Sequence, residues 1–359
     1  MTALTADRAA PAVRRSRRNR LAAMLPAVVV GLPLILFVLF PLAHILGRSF
    51  STPDGFGLAN YAAMLGNERF LRITWNSFAV TLVSAAVAIV MAYAFAYAVQ
   101  RSTMPLRNLF RMIAVLPLFA PSLVQAQGLV LLFGRNGLIN RTFGLGIDLY
   151  GYWGIVIASV LYVFPYAFLI LSAALAVADA RIYESAEMLG ASKWRAFRTV
   201  TLPATRYGLA AAIFVCFTLV ITDFGNPMVI GGDYTVLASE VYNQVIGQAN
   251  FEMGTVIGMV LLIPAAIAAI VEKRVSAKQY ALINEHSRPL VPHKDRLRDA
   301  LLAVAVVLIS IAILSVILVV VFASFVHLWP YRMNFSLRHY AFDVQNGIQP
   351  LWNSIYVSA

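Results

Sequence analysis

Long apolar stretches separated by short polar segments recur along the 359 residues of this chain. A helix of about 20 residues crosses the ~30 Å hydrocarbon layer of a bilayer, and seven stretches reach that length with few or no charges. They lie near residues 21–43, 74–99, 112–134, 151–178, 207–231, 251–271 and 300–326. This pattern predicts an all-α, polytopic transmembrane helical bundle.

Composition supports a membrane protein over a large soluble one, because 60% of the residues are hydrophobic and 12% are charged. The first apolar stretch is longer than the core of a signal peptide and is followed by no small-residue cleavage pattern. We therefore interpret residues 21–43 as a membrane anchor. The formal net charge of +12 would suggest a nucleic-acid partner in a soluble chain.

The distribution of basic residues predicts an orientation instead. If the amino terminus is cytoplasmic, 21 of the 28 Lys and Arg residues fall on the cytoplasmic side, as the positive-inside rule requires. This orientation places a basic tail at residues 1–20 and a linker at 273–299 in the cytoplasm. It accounts for the positive charge without nucleic acid.

Ionisable residues are almost absent from the predicted spans, whereas ion-coupled carriers bind their driving proton or cation at such residues. The exception is Asp223, in the sequence VITDFGNPMVIGG. It is interpreted as a solvated residue at a helix end, since the following glycine and proline break the helix. The alternative is a polar group that lies, with Asn226, at the outer mouth of a pathway.

The sequence predicts no catalytic or cofactor site. The five histidines lack metal-ligand spacing, and there is no phosphate-binding glycine loop, nucleophile elbow or paired carboxylate site. We therefore expect neither a metal nor a cofactor on this chain. If the protein moves a solute uphill, the energy must enter from a partner.

A polar, helix-forming segment, YESAEMLGASKWRAFRTVTLP, interrupts the apolar pattern at residues 183–203. The spacing of Ile182, Ala186 and Leu189 predicts a short helix with these side chains on one face. Gly190 predicts an elbow after it, because glycine enters the left-handed region without steric cost.

A second short helix is predicted after the elbow, with Ser192 as its amino-terminal cap. Trp194, Phe197 and Val200 recur on its apolar face, and Pro203 is expected to end it. From the pattern alone, the 183–203 loop is either a docking surface for another protein or an interfacial helix lying on lipid headgroups.

The spacing in this loop resembles that of permease subunits of binding-protein-dependent ABC importers. Their cytoplasmic loop reads Glu-Ala-Ala, three residues, Gly, nine residues, Ile-x-Leu-Pro. The matching positions here are Glu184, Ser185, Ala186, Gly190, Val200, Leu202 and Pro203. Ser185 and Val200 depart from the pattern conservatively. The resemblance implies that the loop docks on a cytoplasmic ATPase, with Glu184, Ala186 and Gly190 central to the contact.

The same resemblance implies the fold of type I ABC importer permeases and a place in the bacterial inner membrane. A periplasmic solute-binding protein would deliver solute, and ATP would be bound and hydrolysed by a separate ATPase dimer. This chain is therefore not expected to be an enzyme. A self-powered carrier or channel is the competing hypothesis, and a membrane anchor or receptor is a third that would require a larger soluble domain.

Two short motifs occur twice in the same order. LANYAAML and WNSFAV lie within residues 58–80, and LRHYAFDV and WNSIYV lie within 337–357. Each pair follows one long span, which favours an internal duplication. We expect a first transmembrane domain at 73–272 and the start of a second, incomplete one at 300–359, which ends as an eighth span begins.

The segment ITDFGNPMVIGGDYTVLASEVYNQVIG resembles fused two-copy permeases for ferric iron and 2-aminoethylphosphonate. Extension of the repeat gives a permease of roughly 550 residues, so the chain is expected to be a truncated form of one. Ferric iron or 2-aminoethylphosphonate is the expected solute, with thiamine, sulfate and polyamine left open.

Overall fold

The computed structural model describes residues 28–52, 55–177, 179–280, 292, 294–341 and 347–358. The predicted basic tail at 1–20, the first residues of the membrane anchor and the middle of the predicted linker lie outside these residues. The chain divides into two units, residues 1–63 and residues 64–359. Each unit is described by itself.

The first unit contains one long apolar helix, α1 (Val28–Ser49). Two short antiparallel strands follow, β1 (Ser51–Thr52) and β2 (Gly55–Phe56), and then helix α2 (Ala59–Leu65) begins. The helix continues past Pro41 to Ser49, a few residues beyond the end predicted near residue 43. A π-helical turn at Ile35–Leu39 precedes this proline, and its wider backbone accommodates the missing N–H.

The second unit is a helical bundle. Its α-helices are α3 (Glu68–Arg101), α4 (Arg107–Val115), α5 (Ser122–Phe133), α6 (Leu138–Phe143), α7 (Tyr152–Ala176), α8 (Ala180–Met188), α9 (Lys193–Ala196), α10 (Leu202–Ile221), α11 (Gly225–Ile230), α12 (Leu237–Tyr242), α13 (Phe251–Tyr280), α14 (Arg296–Ser324) and α15 (Ile348–Ser358). Strands β3 (Val326–Leu328) and β4 (Arg332–Phe335) form an antiparallel pair after α14.

Among the described residues, six helices are long and apolar enough to cross a membrane, and a bent pair makes up to seven. This result confirms the predicted fold class. The span predicted at 112–134 is bent, because Arg107–Phe119 and Ser122–Phe143 meet at 105°. The bend falls at Pro121, which lacks an N–H and favours extended backbone in the residue before it.

The predicted span at 207–231 is also interrupted. Helix α10 ends at Ile221, and the short helix α11 begins at Gly225 after a break. The glycine and proline after Asp223 predicted this interruption, although most residues on both sides of it are apolar and buried. Such irregular backbone is tolerated at membrane depth where protein surrounds it.

The core of the bundle lies between α3, α7 and α10. Phe95 of α3 packs edge-on against Phe164 and Phe168 of α7, with ring centroids 5.5 and 5.3 Å apart. Helix α14 packs against α5 very closely, since a Cβ at Gly128 would lie 2.4 Å from the carbonyl oxygen of Val316. Small residues allow such close approach of helices in membrane proteins.

The end of α1 carries a compact group of side chains. Ser49 Oγ donates to the carbonyl of Leu46 at 2.7 Å and accepts from Tyr61 Oη at 2.8 Å. Phe50 lies against Phe56 and Tyr61, with ring centroids 6.4 and 5.2 Å away. We call Ser49, Phe50, Phe56 and Tyr61 the first serine–aromatic cluster.

The end of α14 carries the same group. Ser324 Oγ donates to the carbonyl of Val321 at 2.6 Å and lies 2.8 Å from Tyr340 Oη. Phe325 stacks on Phe335 and Tyr340, at 5.9 and 5.4 Å. This second serine–aromatic cluster reproduces the first, although its strand pair is longer. The sequence repeat is therefore matched by a repeat of local structure.

Candidate functional site

The first half of the 183–203 loop is helix α8. Asp179 caps it by accepting from Arg181 N at 3.1 Å, and Ser185 Oγ returns a hydrogen bond to the Arg181 carbonyl. Glu184 and Ser185 are exposed, whereas Ala186 is partly buried. The motif residues thus lie on an ordered helix whose polar side faces outward.

Gly190 ends this helix in the left-handed region predicted for it, at φ 71°. The turn is closed by hydrogen bonds from Gly190 N to the Glu187 carbonyl and from Ala191 N to the Ala186 carbonyl, at 2.9 and 3.0 Å. A Cβ at Gly190 would meet no atom within 4 Å. The need for glycine is therefore conformational within this chain, and the space in front of the elbow is open.

Ser192 caps the second short helix, α9, as predicted, by accepting from Arg195 N at 3.3 Å. The prediction that Pro203 ends this helix is wrong. The chain continues from α9 through a π-helical turn at Phe197–Thr201 into α10, as one helix to Ile221. Pro203 lies in the first turn of α10, where the wide turn before it relieves the clash with the preceding carbonyls.

The loop is anchored to the bundle mainly through Tyr183. Its hydroxyl donates to Thr201 Oγ1 at 3.0 Å, and its ring lies under the guanidinium of Arg101, 5.1 Å from the ring centroid. Arg101 also donates to the carbonyl of Leu175 at 2.9 Å. Arg101 is buried at the end of α3, so this anchor joins α3, α7 and both halves of the loop.

The predicted apolar face of the second helix is divided. Phe197 is half-buried and meets Tyr93 and Tyr97 of α3 edge-on, at 6.1 and 5.7 Å. Trp194 stacks on Phe197 at 5.5 Å but remains exposed. Val200 and Leu202 are half-buried, while Pro203 is exposed. Phe197 therefore belongs to the anchor, and Trp194 belongs to the surface.

The tip of the loop exposes apolar side chains. Met188 and Leu189 are 89% and 86% exposed, and Ile182 is also exposed. Of the predicted apolar face, Ile182 and Leu189 are exposed, and only Ala186 is partly buried within this chain. An ordered, anchored helix that presents apolar side chains outward has the features of a surface for another molecule.

Asp223 lies in the break between α10 and α11 and is only 8% exposed, so the interpretation of it as a solvated residue is wrong. Its carboxylate accepts from Ser122 Oγ at 2.7 Å, from Gly225 N at 3.2 Å and from Asn226 N at 3.4 Å. The side-chain amide of Asn226 is fully buried, without a hydrogen-bond partner in the described structure.

These contacts bring two helix breaks together. Ser122 begins α5 directly after the 105° bend, and a Cβ at Gly225 would lie 2.4 Å from Ser122 Oγ. In transporters, discontinuous helices lie at substrate and ion sites, so the paired breaks are a candidate pathway element. The sequence indicated Asp223 and Asn226 but not Ser122.

A second polar group lies at the start of α3, at the end opposite Arg101. Sequence reasoning missed the carboxylate at its centre, Glu240. Glu240 of α12 is fully buried and pairs with Arg69 at 3.0 Å, while Gln244 donates to its other oxygen at 2.8 Å. Asn76 donates to the carbonyl of Thr235 at 3.1 Å. The WNS motif that signalled the repeat therefore has a structural role, which is to hold the chain leading to α12.

No group of three or more His, Cys, Asp or Glu residues placed to hold a metal occurs in the part of the chain that the structure describes. Comparison with known families gives a direct result. Residues 87–279, more than half of the chain, match the family described as "Binding-protein-dependent transport system inner membrane component". The chain belongs to this family. It is a permease of the type I ABC importer class, a transport component of the membrane.

The permease is similar to two ferric transport proteins. It is 29% identical over 234 residues to "Putative ferric transport system permease protein FbpB 1" of Haemophilus influenzae, covering 63% of this chain and 37% of the relative. It is 28% identical to "Ferric transport system permease protein FbpB" of Actinobacillus pleuropneumoniae, covering 66% of this chain and 35% of the relative. The matched part of the chain thus spans about a third of these relatives' length.

Another relative is matched over most of its length. The permease is 26% identical to "Spermidine/putrescine transport system permease protein PotB" of Haemophilus influenzae, over 67% of this chain and 89% of the relative. A solved bacterial ABC transporter for import of the polysaccharide alginate shares the fold, with a TM-score of 0.59 at 18% identity, over 75% of this chain and 97% of that one.

Proposed function

We propose that the 183–203 loop is the surface on which a cytoplasmic ABC ATPase docks, and that the permease moves solute into the cytoplasm when that ATPase closes. The observation that carries this proposal is the exposed tip at Met188 and Leu189 on a loop that Tyr183 and Arg101 hold firmly against α3 and α7. A firmly anchored loop passes the movement of the ATPase to the spans, whereas a loosely attached loop would move without moving the spans.

The partner set follows from this role. The ATPase would act as a dimer and bind ATP, so the permease needs no cofactor. A periplasmic binding protein would deliver solute on the opposite side, and the amino terminus would be cytoplasmic, as the distribution of Lys and Arg predicts. The family description, a binding-protein-dependent system, supports this arrangement.

Ferric iron is the solute that we propose, because two relatives named for ferric transport match about two thirds of the chain. In addition, residues 221–247 resemble the sequence of ferric-iron permeases. Polyamine, sulfate and thiamine stay open, since relatives named for these solutes also match, and 2-aminoethylphosphonate rests on sequence resemblance alone. Asp223 and Asn226 would lie beside the pathway, where the buried, unpartnered amide of Asn226 offers a polar contact.

We also propose that α14 opens a second permease domain of the same fold. The support is the second serine–aromatic cluster, which repeats the first around Ser324 and Tyr340, together with the second WNS motif at the start of α15. A second domain would supply the second docking loop that an importer with two ATPase subunits requires.

The docking proposal is tested by a bulky substitution at the elbow. Gly190→Trp adds a large side chain in open space in front of the loop, so we expect the ATPase subunit to be lost on purification from membranes. Gly144→Trp is the matched control, since Gly144 has φ +61° and the same open surroundings but precedes α7. Equal retention of the ATPase by both variants would contradict the proposal.

A further inference from the structure

Two carboxylates lie one turn apart at the start of α14. Asp295 caps the helix by accepting from Arg298 N at 3.3 Å, and Asp299 follows four residues later, on the same face. Both belong to the predicted linker at 273–299, to which sequence reasoning assigned no role beyond linking.

Asp299 fixes this end of α14 to the turn between α3 and α4. Its Oδ2 accepts from Thr103 N at 3.1 Å and from Thr103 Oγ1 at 2.7 Å, and its Oδ1 accepts from the Arg298 guanidinium at 2.8 Å. The Asp299 side chain is 12% exposed. A carboxylate with three donors in a shielded position holds its partners more firmly than a surface ion pair does.

Asp295 reaches a different element. Its carboxylate forms an ion pair with Lys193, the first residue of α9 in the 183–203 loop. The hydrogen bond from Lys193 lowers the pKa of Asp295, with the backbone N–H of Arg298 as the next cause. Lys193 is 79% exposed and Asp295 is 21% exposed, so this contact is weak enough to break and re-form.

We propose that the first turn of α14 is a strap that positions the 183–203 loop, with Asp295 as the positioning residue. The proposal rests on the proposed function, in which this loop receives the ATPase. Asp299 supplies the fixed attachment at the α3–α4 turn, and Asp295 supplies the reversible one at α9. Movement of the loop would thereby be passed to α14, the span that opens the proposed second domain.

The contact itself is tested without any partner. Cys216 is the only cysteine in the sequence and is buried, so the thiols of a Lys193→Cys/Asp295→Cys pair can be joined selectively in membranes by a bis-maleimide linker, which replaces the reach of the lysine side chain that a direct disulfide would lack. We expect this pair to cross-link. A Leu145→Cys/Asp295→Cys pair should not cross-link. Leu145 lies before the long helix α7 and the 183–203 loop lies after it, so the two are at opposite ends of that helix. A failure of the first pair would overturn the proposal.

Charge exchange tests the positioning role. In the permease purified with its ATPase, Lys193→Glu or Asp295→Lys should each lower stimulation of ATP hydrolysis by the binding protein about two- to fivefold, the effect of a partly exposed ion pair. The Lys193→Glu/Asp295→Lys double variant should regain most of that stimulation. Lys294→Glu is the control, because it reverses a charge next to Asp295 at a residue with no described ion pair. This variant should leave the stimulation of ATP hydrolysis unchanged.

The outcomes separate this inference from the proposed function. If the unmodified permease carries no ATPase, the proposed function fails, and the positioning role fails with it. If the ATPase is present and the double variant is as impaired as the two single changes combined, the docking function stands and the strap is wrong. Restoration by the double variant supports the strap, because a loss caused only by misfolding is not rescued by exchanging charges.

Discussion

Asp223 shows how a single buried carboxylate can hold two broken helices together. Burying a charge in a membrane protein is costly unless donors surround it, and here Ser122, Gly225 and Asn226 supply three hydrogen bonds. Two of these donors are backbone amides that the break in α10 leaves without helical partners. The carboxylate therefore satisfies the broken backbone and ties it to the start of α5.

Replacing this carboxylate with an amide tests its role. Asp223→Asn leaves one acceptor oxygen where there were two and turns an NH₂ group toward backbone donors, so we expect a loss of about 1 to 3 kcal/mol in stability. Asp233→Asn makes the same change at an exposed residue and should have little effect. Thermal unfolding of the purified permease in detergent measures both, and equal midpoints for the two variants would rule out the described role of Asp223.

Residue-level prediction succeeded where the local sequence determines the conformation. The left-handed Gly190 and the cap at Ser192 follow from neighbouring residues alone, and both are confirmed. The anchor formed by Arg101 and Tyr183 could not be predicted, because these residues lie far apart in sequence. The one available signal was an arginine just after a predicted span, and it was counted only as a cytoplasmic charge that sets the orientation.

At the scale of elements, prolines are the positions where prediction failed. Pro203 was expected to end a helix, yet it follows a π-helical turn and the helix continues through it, as the first span does through Pro41. Pro121 does break its helix. Sequence reasoning cannot distinguish these cases, because the wider turn that rescues a proline depends on how the surrounding helices pack.

The close contact between helices α5 and α14 can be tested by adding a methyl group at Gly128. Gly128→Ala would place a Cβ 2.4 Å from the Val316 carbonyl, so the helices must separate, at a cost of about 1 to 3 kcal/mol. Gly258→Ala is the control, since Gly258 lies in α13 with open space around it and alanine favours the helix by about 1 kcal/mol. The thermal midpoint should fall for the first variant only. A rise for both would show that α5 and α14 are not in close contact.

At the scale of the whole molecule, hydropathy and motif spacing predicted the fold class and the permease family, and both are confirmed. Apolar length is a property of the sequence alone, so the spans at 151–178 and 251–271 were found with small shifts. The meeting of the two helix breaks and the buried Glu240 were not found, because they depend on contacts between distant segments.

The central claim is that the 183–203 loop is the ATPase-docking surface, and site-specific photo-crosslinking in membranes tests it most directly. A photoreactive amino acid at Leu189, at the exposed tip of the loop, should form an adduct with a nucleotide-binding subunit. The same amino acid at Leu145, which is also exposed but precedes α7, should form none. Adducts from both positions, or from Leu145 alone, would contradict the account.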